Sequence, residues 1–256
     1  MKLTVLGSLS GTEPYPHRHH TSLMLEGKDG LTFFDAGENC AHAATVAGAD
    51  LLRLRRIVIS HAHIDHTGGL ANLIWTVDKL KSVRKETAEP INLYVPDMAV
   101  YETVAAFLAC SSRFDSSSQV RPYLIKDGIL PDTGELSVEA HHTHHLGTPG
   151  EGEPYRAFGF RVTGGDAPFL YTGDTGGRED WLSLYRGDCG WIFHETGHHY
   201  PPAVASEVVT LAGNPRLCFM HHGRDFLDRY AENLAAVKAI LGERVFVAED
   251  GDVFSV

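Results

Sequence analysis

Short apolar runs recur along this 256-residue chain, and each has the length and the Leu, Ile, Val and Phe content of a buried β-strand. Between them lie segments whose apolar residues recur every three or four positions, which is the spacing of an amphipathic α-helix. The predicted strands are Lys2–Leu6, Leu23–Glu26, Leu31–Phe34, Ile57–Ile59, Ile91–Val95, Leu136–Ala140, Phe158–Val162, Phe169–Thr172, Trp191–Phe193, Leu217–Met220 and Val245–Val247. The predicted helices are Ala41–Ala47, Leu70–Lys79, Met98–Ala109, Glu179–Tyr185, Ala203–Ala212 and Phe226–Leu241. The alternation predicts a mixed α/β protein.

The order of these elements indicates the architecture. The strands fall into two sets, before and after about residue 125, and residues with metal-binding side chains come from both sets. Two facing sheets with outer helices, and a site at the edge that they share, account for this arrangement. The loosest stretches, Ser111–Gln119 and Gly147–Pro154, are short enough to be surface loops, so residues 1–256 are expected to form a single domain.

Composition narrows the classes of protein that fit. The formal net charge of −11 disfavours nonspecific binding to nucleic acid. The four cysteines lie far apart, without the spacing of a disulfide framework or a metal site. The chain begins with a strand pattern instead of a secretory signal, and it has no apolar run of membrane-spanning length. We therefore expect a soluble cytoplasmic protein without a membrane partner.

The most informative segment is HAHIDH at His61–His66, which follows an apolar run and carries three histidines and one aspartate. Imidazole and carboxylate together favour zinc, iron or manganese. His61 and His63, two positions apart in an extended loop, can direct their nitrogens at one ion, whereas Asp65 and His66 turn toward a second. The segment therefore predicts two metal ions.

Four later segments repeat this combination of a strand followed by ligand-type residues. They are HHTHH at His141–His145, GDTG at Gly173–Gly176, HETGHH at His194–His199 and HHG at His221–Gly223. Each stands where a predicted strand ends, and the edge of a sheet is where loops assemble a site on a rigid frame. The chain has sixteen histidines, and their concentration in these segments predicts one joint metal site.

With these segments, the chain resembles the metallo-β-lactamase superfamily over nearly its whole length, from LGSLSG through FFDAG and HAHIDHTGG to FMHH. HAHIDH agrees with the H-x-H-x-D-H signature of that superfamily at every defined position. The resemblance implies a four-layer αββα sandwich. It also implies two sets of metal ligands that share Asp174 as a bridge, with His61, His63 and His145 for one ion and Asp65, His66 and His221 for the other.

Two of these ligands have histidine neighbours that compete for the assignment. The strand of the superfamily places its third histidine several residues past a buried valine and alanine, and this resemblance favours His145 over His144. His221 directly follows four apolar residues, as the last ligand of the superfamily does, and His222 is the alternative. The unused histidines are interpreted as hydrogen-bonding neighbours or as exposed side chains.

Within the superfamily, the likeness is closest to the ribonuclease Z-type branch, whose members open with a motif like LGSLSG and carry an H-E-A-T segment where this chain has His194, Glu195 and Thr196. In that branch the glutamate and a later histidine pass a proton, which implies catalytic roles for Glu195 and His199. Asp65 is expected to orient the attacking water. A structural hydrogen-bonding role for Glu195 is the alternative.

Two departures from that branch argue against transfer RNA as the substrate. Only 28 residues separate His145 from Asp174, in place of the branch's long RNA-gripping arm, and the loop GTPGEGEPYR is not basic. The final motif reads HHGRDFLDRY and lacks the branch's serine followed by Arg-Tyr. A small-molecule or nucleotide-type phosphodiester is therefore expected.

The residues and the resemblance together predict a dinuclear metal-dependent hydrolase, preferably a phosphodiesterase, that holds two divalent ions, zinc ahead of manganese or iron. Hydrolysis of a lactone, thioester or β-lactam is the first alternative. The others are a metal-holding accessory protein without turnover and an iron oxygenase, and the prediction also allows a homodimer. A further cluster, HRHH at His17–His20, follows the first strand, where substrate contact, an extra metal contact and solvent exposure all stay open.

Overall fold

The computed structural model describes residues 1–110 and 119–256, and two seven-stranded sheets form its centre. The strands are β1 (Lys2–Gly7), β2 (Ser22–Glu26), β3 (Leu31–Phe34), β4 (Leu54–Val58), β5 (Ile91–Val95), β6 (Val120–Leu124), β7 (Gly128–Ile129), β8 (Ser137–His142), β9 (Phe158–Thr163), β10 (Phe169–Tyr171), β11 (Trp191–Glu195), β12 (Arg216–Met220), β13 (Val245–Val247) and β14 (Val253–Ser255). The α-helices are α1 (Cys40–Val46), α2 (Ile64–Thr67), α3 (Leu70–Arg84), α4 (Met98–Cys110), α5 (Glu179–Leu182), α6 (Pro201–Val208), α7 (Arg224–Asp228) and α8 (Tyr230–Leu241).

Both sheets are mixed and are built in the same way. The first has the order β14-β1-β2-β3-β4-β5-β6, with antiparallel pairs up to β3 and parallel pairs from β3 onward. The second has the order β13-β12-β11-β10-β9-β8-β7, with parallel pairs up to β10 and antiparallel pairs beyond it. As a result β8, β10, β11 and β12 run in one direction, and their carboxyl ends lie at one edge.

Three apolar layers hold these elements together. Between the sheets, side chains of both inner faces meet, and the rings of Phe34 and Phe160 lie 6.0 Å apart between centroids. Helices α1, α3 and α4 cover the outer face of the first sheet, and α5, α6 and α8 cover that of the second. Burial of these side chains removes apolar surface from water and stabilises the layers. The predicted αββα sandwich is thus confirmed.

The strands that the sequence pattern did not predict are β6, β7 and β14, and all three lie at sheet edges. β6 contains Pro122, which is tolerated at an edge because its missing N–H breaks no inner ladder. β7 has two residues and β14 has three, too few to produce an alternating pattern. Edge strands bury fewer side chains than central ones, so their hydrophobic signal is weak.

Two predictions about the elements are wrong in detail. The helix predicted over Phe226–Leu241 is broken at Arg229, whose φ is −118°, and Nδ2 of Asn233 donates to the carbonyl of Phe226 across the break at 3.3 Å. The division of strands at residue 125 fails for β14, which returns to the first sheet beside β1.

The loop predicted at Ser111–Gln119 falls largely on residues 111–118, which lie outside the described residues. None of the described helices has the length and apolar character needed to span a membrane.

Candidate metal centre

The candidate metal centre lies where strands of both sheets end. The loop after β4 carries the HAHIDH segment, in which His63 precedes α2. His145 follows β8, Asp174 follows β10 and His221 follows β12, at the common edge of the second sheet. His221 has a left-handed backbone with a φ of 49°, which costs a non-glycine residue about 1 to 3 kcal/mol and is typical of functional sites.

Four residues form what we term the open group, namely His61, His63, His145 and Asp174. Nδ1 of His63 lies 2.9 Å from Nε2 of His61 and 3.3 Å from Nε2 of His145. Oδ2 of Asp174 lies 3.6 Å from Nε2 of His61 and 3.6 Å from Nε2 of His145. The group is open because His63 is exposed and His145 is half-buried.

A second set, which we term the buried group, comprises Asp65, His66 and His221. Oδ2 of Asp65 lies 3.3 Å from Nε2 of His66 and 3.1 Å from Nε2 of His221. Oδ1 of Asp174 lies 3.5 Å from Nε2 of His66 and 3.4 Å from Nε2 of His221. The two oxygens of Asp174 therefore face different groups, and the structure brings all of the predicted ligand residues together.

The donor atoms of these groups fit divalent metal ions. Within residues 1–110 and 119–256, Nε2 of His66 and Oδ1 of Asp174 are buried without a hydrogen-bond partner. Buried polar atoms almost always have a hydrogen-bond partner. Two metal-coordinating atoms that lack one and lie close together therefore favour an ion between them. Imidazole nitrogen and carboxylate oxygen are ligands that zinc, manganese and iron accept.

The two groups differ in electrostatics. Burial and the neighbouring His66 hold the pKa of His61 well below its ordinary value. Burial also lowers the pKa of His221, but Asp174 and Asp65 outweigh it and raise that pKa to about 9. Burial raises the pKa of Asp174, but His221 and His66 reverse this effect and hold the pKa well below its usual range. The neighbouring carboxylates therefore outweigh burial at His221, whereas burial prevails at His61.

His144, the neighbour that competes with His145, is turned toward other partners. Its Nδ1 lies 2.6 Å from Oδ1 of Asp180, and its Nε2 lies 3.4 Å from the hydroxyl of Tyr155. Both ring nitrogens are therefore engaged outside the two groups. This placement favours His145, whose Nε2 faces Asp174.

His222, the neighbour of His221, is also engaged elsewhere. Its Nδ1 lies 3.0 Å from Oγ1 of Thr196, and its Nε2 donates to the carbonyl of Ala248 at 2.9 Å. Burial lowers the pKa of His222 to about 3, so this imidazole is neutral. The geometry favours His221 over His222 as the residue that faces an ion.

Glu195 is buried beside the buried group. Its Oε1 accepts the backbone N–H of Thr175 at 2.9 Å, and its Oε2 lies 2.8 Å from both the backbone nitrogen and Nδ1 of His198. Nδ1 of His221 lies 3.7 Å from Oε2. Burial raises the pKa of Glu195, but the hydrogen bond from His198 and the nearby ring of His221 reverse this effect and hold the pKa well below its usual range.

The histidine that faces the cavity at the metal centre is His198, not His199. Nε2 of His199 lies 2.7 Å from Oγ1 of Thr175 and 3.5 Å from Oε1 of Glu195, and the side chain borders a neighbouring cavity. His198 borders the cavity at the metal centre, which has a volume of about 430 Å³, and its ring centroid lies 4.7 Å from that of His145. Sequence reasoning missed His198 because two adjacent histidines carry no signal that separates them.

Asp35 was also missed, although it stands directly after β3 in FFDAG. Its buried carboxylate accepts hydrogen bonds from the backbone N–H of Ser60 at 2.7 Å, from Oγ of Ser60 at 2.8 Å, from Nδ1 of His66 at 2.8 Å and from the hydroxyl of Tyr171. A carboxylate behind a histidine fixes the orientation of the ring. An acidic residue at the end of an apolar strand was the available signal.

The HRHH cluster does not join either group. Nδ1 of His19 lies 2.8 Å from Oδ2 of Asp250, and Nδ1 of His20 lies 2.5 Å from Oε2 of Glu38. Among the described residues, neither histidine belongs to a set that could hold a metal ion. These side chains link neighbouring loops instead.

Comparison with known proteins places the chain in a family. A family model described as "Anti-Pycsar protein Apyc1" matches residues 1–248. Ribonuclease BN of Cronobacter sakazakii is 30% identical over 174 residues, which are 66% of this chain and 51% of that protein. Ribonuclease Z of Pyrococcus abyssi is 36% identical over 90 residues, which are 35% of this chain and 28% of that protein. The chain spans about half or less of the length of these curated relatives.

Solved structures show the same fold. The metallo-β-lactamase fold protein YhfI from Bacillus subtilis has a TM-score of 0.77 and 16% identity, and the match covers 100% of this chain and 99% of that one. A diphosphatase from the PhnP family has a TM-score of 0.67 and 18% identity, covering 100% and 97% of the two chains. The relatives and structures confirm the predicted likeness to the metallo-β-lactamase superfamily and its ribonuclease Z-like branch, and they agree with the prediction of a metal-dependent hydrolase.

Proposed function

We propose that this chain, which belongs to the family described as Anti-Pycsar protein Apyc1, is a dinuclear metal-dependent phosphodiesterase. The proposed substrate is a small-molecule or nucleotide-type phosphodiester. The proposed ions are two divalent cations, zinc ahead of manganese or iron. The ribonuclease names of the curated relatives support phosphodiester chemistry.

The observation that carries this proposal is the position of Asp174 between the two groups. Its Oδ2 lies 3.6 Å from Nε2 of His61 in the open group, and its Oδ1 lies 3.4 Å from Nε2 of His221 in the buried group. A shared carboxylate offsets part of the repulsion between two neighbouring dications. Three imidazoles on one side, and an aspartate with two imidazoles on the other, supply ligands for one ion each.

The proposed mechanism divides the work between metals and side chains. Two divalent ions in these groups would lower the pKa of bound water toward about 7 and stabilise negative charge on the attacked phosphate. Asp65, at the wall of the cavity, is positioned to accept a hydrogen bond from the attacking water and to orient it. The hydrogen bond to Glu195 raises the pKa of His198 above its ordinary value. His198 is therefore our candidate for protonating the leaving oxygen, in place of His199.

The lining of the cavity supports a phosphodiester over a carbon ester. Ser10 and Thr12 contribute hydroxyl groups, and Ile64 is the large apolar side chain among the described lining residues. A lactone or β-lactam site is expected to be predominantly apolar. The volume of about 430 Å³ suits a small ligand, and the net charge of −11 disfavours RNA.

Metal analysis followed by an ester panel tests the proposal. The protein reconstituted with zinc or manganese should hold about two ions per chain and should hydrolyse a bis-aryl phosphate and a nucleoside phosphodiester faster than a lactone or a β-lactam. Asp174→Asn should reduce both metal content and turnover, whereas Asp127→Asn, at an exposed carboxylate, should change neither turnover nor the ions at the cavity. A preference for lactone or lactam would refute the phosphodiester assignment. Retained metal without turnover of any ester would favour the accessory protein.

A leaving-group series tests the role of His198. His198→Ala should slow a nucleoside leaving group by about 10² to 10⁴-fold, the usual contribution of a general acid, and should barely slow a nitrophenolate. His199→Ala is the matched control and should affect both leaving groups little and equally. If His199→Ala, and not His198→Ala, slows the nucleoside leaving group selectively, His199 is the general acid. The cytoplasmic location and the homodimer stay predictions, and light scattering of the purified protein checks the latter.

A further inference from the structure

The two ligand groups differ in what lies behind their histidines. In the buried group, Nδ1 of His66 donates to Asp35 at 2.8 Å, and Nδ1 of His221 lies 3.7 Å from Oε2 of Glu195. Both carboxylates are buried, at 0% and 2% exposure. A carboxylate behind a ligating imidazole fixes the ring and increases the basicity of the nitrogen that faces the metal. His66 therefore has a hydrogen-bonded carboxylate behind it, whereas the carboxylate of Glu195 lies near His221 but beyond hydrogen-bond distance of it.

The open group has weaker support. Nδ1 of His61 lies 3.1 Å from Oγ of Ser60, a neutral hydroxyl whose own proton is donated to Asp35. His63 is exposed, so water competes with its interactions. A ligand that is open to solvent and lacks an ionic partner is held less firmly in the orientation that a metal requires.

The number of carboxylates in each group also favours tighter metal binding by the buried group. The open group has Asp174 as its acidic member, whereas the buried group adds Asp65 to the same shared carboxylate. Asp35 and Glu195 add negative charge behind it. Attraction to a dication increases with each nearby carboxylate, and it is screened less where water is excluded.

We propose that the two metal sites load in order, with the first ion held tightly in the buried group and the second bound weakly and exchangeably in the open group. Asp35 acts as a positioning residue that strengthens the first site through His66. The inference rests on the proposed function insofar as both groups are metal sites.

Stepwise addition of Zn²⁺ to the metal-free protein at fixed pH tests the order. Native mass spectrometry at one equivalent should show mainly the singly loaded chain, and competition with a chelator should give two dissociation constants that differ by at least about 10-fold. His61→Ala should retain the tight ion, and His221→Ala should lose it. Equal dissociation constants, or a tight ion that survives in His221→Ala and disappears in His61→Ala, would overturn the proposal.

Asp35→Asn tests the positioning role. It should weaken the first ion by about 10- to 100-fold, the usual effect of removing a partner of a metal ligand. The second dissociation constant should change less, because Asp35 reaches His61 only through the hydroxyl of Ser60. Tyr171→Phe removes a hydroxyl that donates to Asp35 and keeps the buried ring, so it should shift the first constant in the same direction by less. If Asp35→Asn does not fold, Tyr171→Phe provides the test. An unchanged dissociation constant for the first ion in the variant that folds would overturn the role of Asp35.

One surface cluster requires a control. Asp127, His141 and His142 also place ligand-type atoms within 4.8 Å of one another, so they can add a spurious ion to the count. The titration is therefore repeated with Asp127→Asn, and the order should persist. An order that vanishes in this variant would overturn the inference.

The outcomes for function and for metal order are separate. Two ions of equal affinity in an active phosphodiesterase would overturn the order alone. Ordered loading in a protein that is inactive on every ester would remove the proposed function and leave the order intact. A protein that binds no divalent ion would overturn both.

Discussion

Gly197 lies so close to His221 that an added methyl group should displace the ring of this proposed metal ligand. A Cβ at Gly197 would stand 2.7 Å from Nδ1 and 2.9 Å from Cε1 of His221, whereas ordinary van der Waals contact begins at 3.4 Å. The ring would therefore have to move by about 0.7 Å, the difference between 3.4 and 2.7 Å. A functional side chain tolerates only about 0.5 Å of displacement, so Gly197→Ala should disturb the buried group.

The expected effect has two measurable parts. Affinity for the first metal ion should fall by about 10- to 100-fold in a chelator competition. The metal-free protein should lose about 1 to 3 kcal/mol of unfolding free energy in urea, because His221 packs in a closed site.

Gly177→Ala is the matched control, since a Cβ there meets nothing within 4 Å. It should leave metal affinity unchanged and either preserve stability or increase it by about 0.4 to 1 kcal/mol through the less flexible unfolded chain. Metal affinity of Gly197→Ala equal to that of the control would refute the steric reasoning and the assignment of His221 as a ligand.

Further substitutions separate ligands from their neighbours. His145→Ala should deplete metal, as measured by elemental analysis, whereas His144→Ala should largely retain it because Asp180 holds that ring. His221→Ala should also deplete metal, whereas His222→Ala should retain it and lose about 1 to 3 kcal/mol of unfolding free energy through unsatisfied buried partners. In both comparisons the opposite order would show that the ligand is the other histidine of the pair.

Much of the candidate site was predictable because the chain delivers it in short units. HAHIDH supplies ligand-type residues of both groups within one loop, so its chemistry can be interpreted before any tertiary contact is known. Asp174 and His221 each follow a short, strongly apolar strand, and the ends of aligned strands meet at one edge. The sheets themselves were predictable where strands are central, because both of their faces are buried.

The supporting residues could not be predicted in the same way. Asp35 acts on His66 across a separation of 31 positions, and Tyr171 reaches the same carboxylate from the other sheet. Neither contact leaves a periodic trace in the sequence, because each depends on how the two sheets face each other. The break at Arg229 had no proline or glycine to announce it.

Each tandem of histidines is resolved by a polar partner that lies far away in the chain. Asp180 binds His144 from 36 positions away, and the carbonyl of Ala248 binds His222 from 26 positions away. Thr175 binds His199 in a similar way from 24 positions away. Beyond the end of a strand, the two-residue alternation no longer determines which way a side chain points. The polar partner therefore engages one histidine of each pair, and the other lies beside Asp174. Which histidine of a pair faces the candidate metal centre is thus a tertiary property that strand phase alone cannot supply.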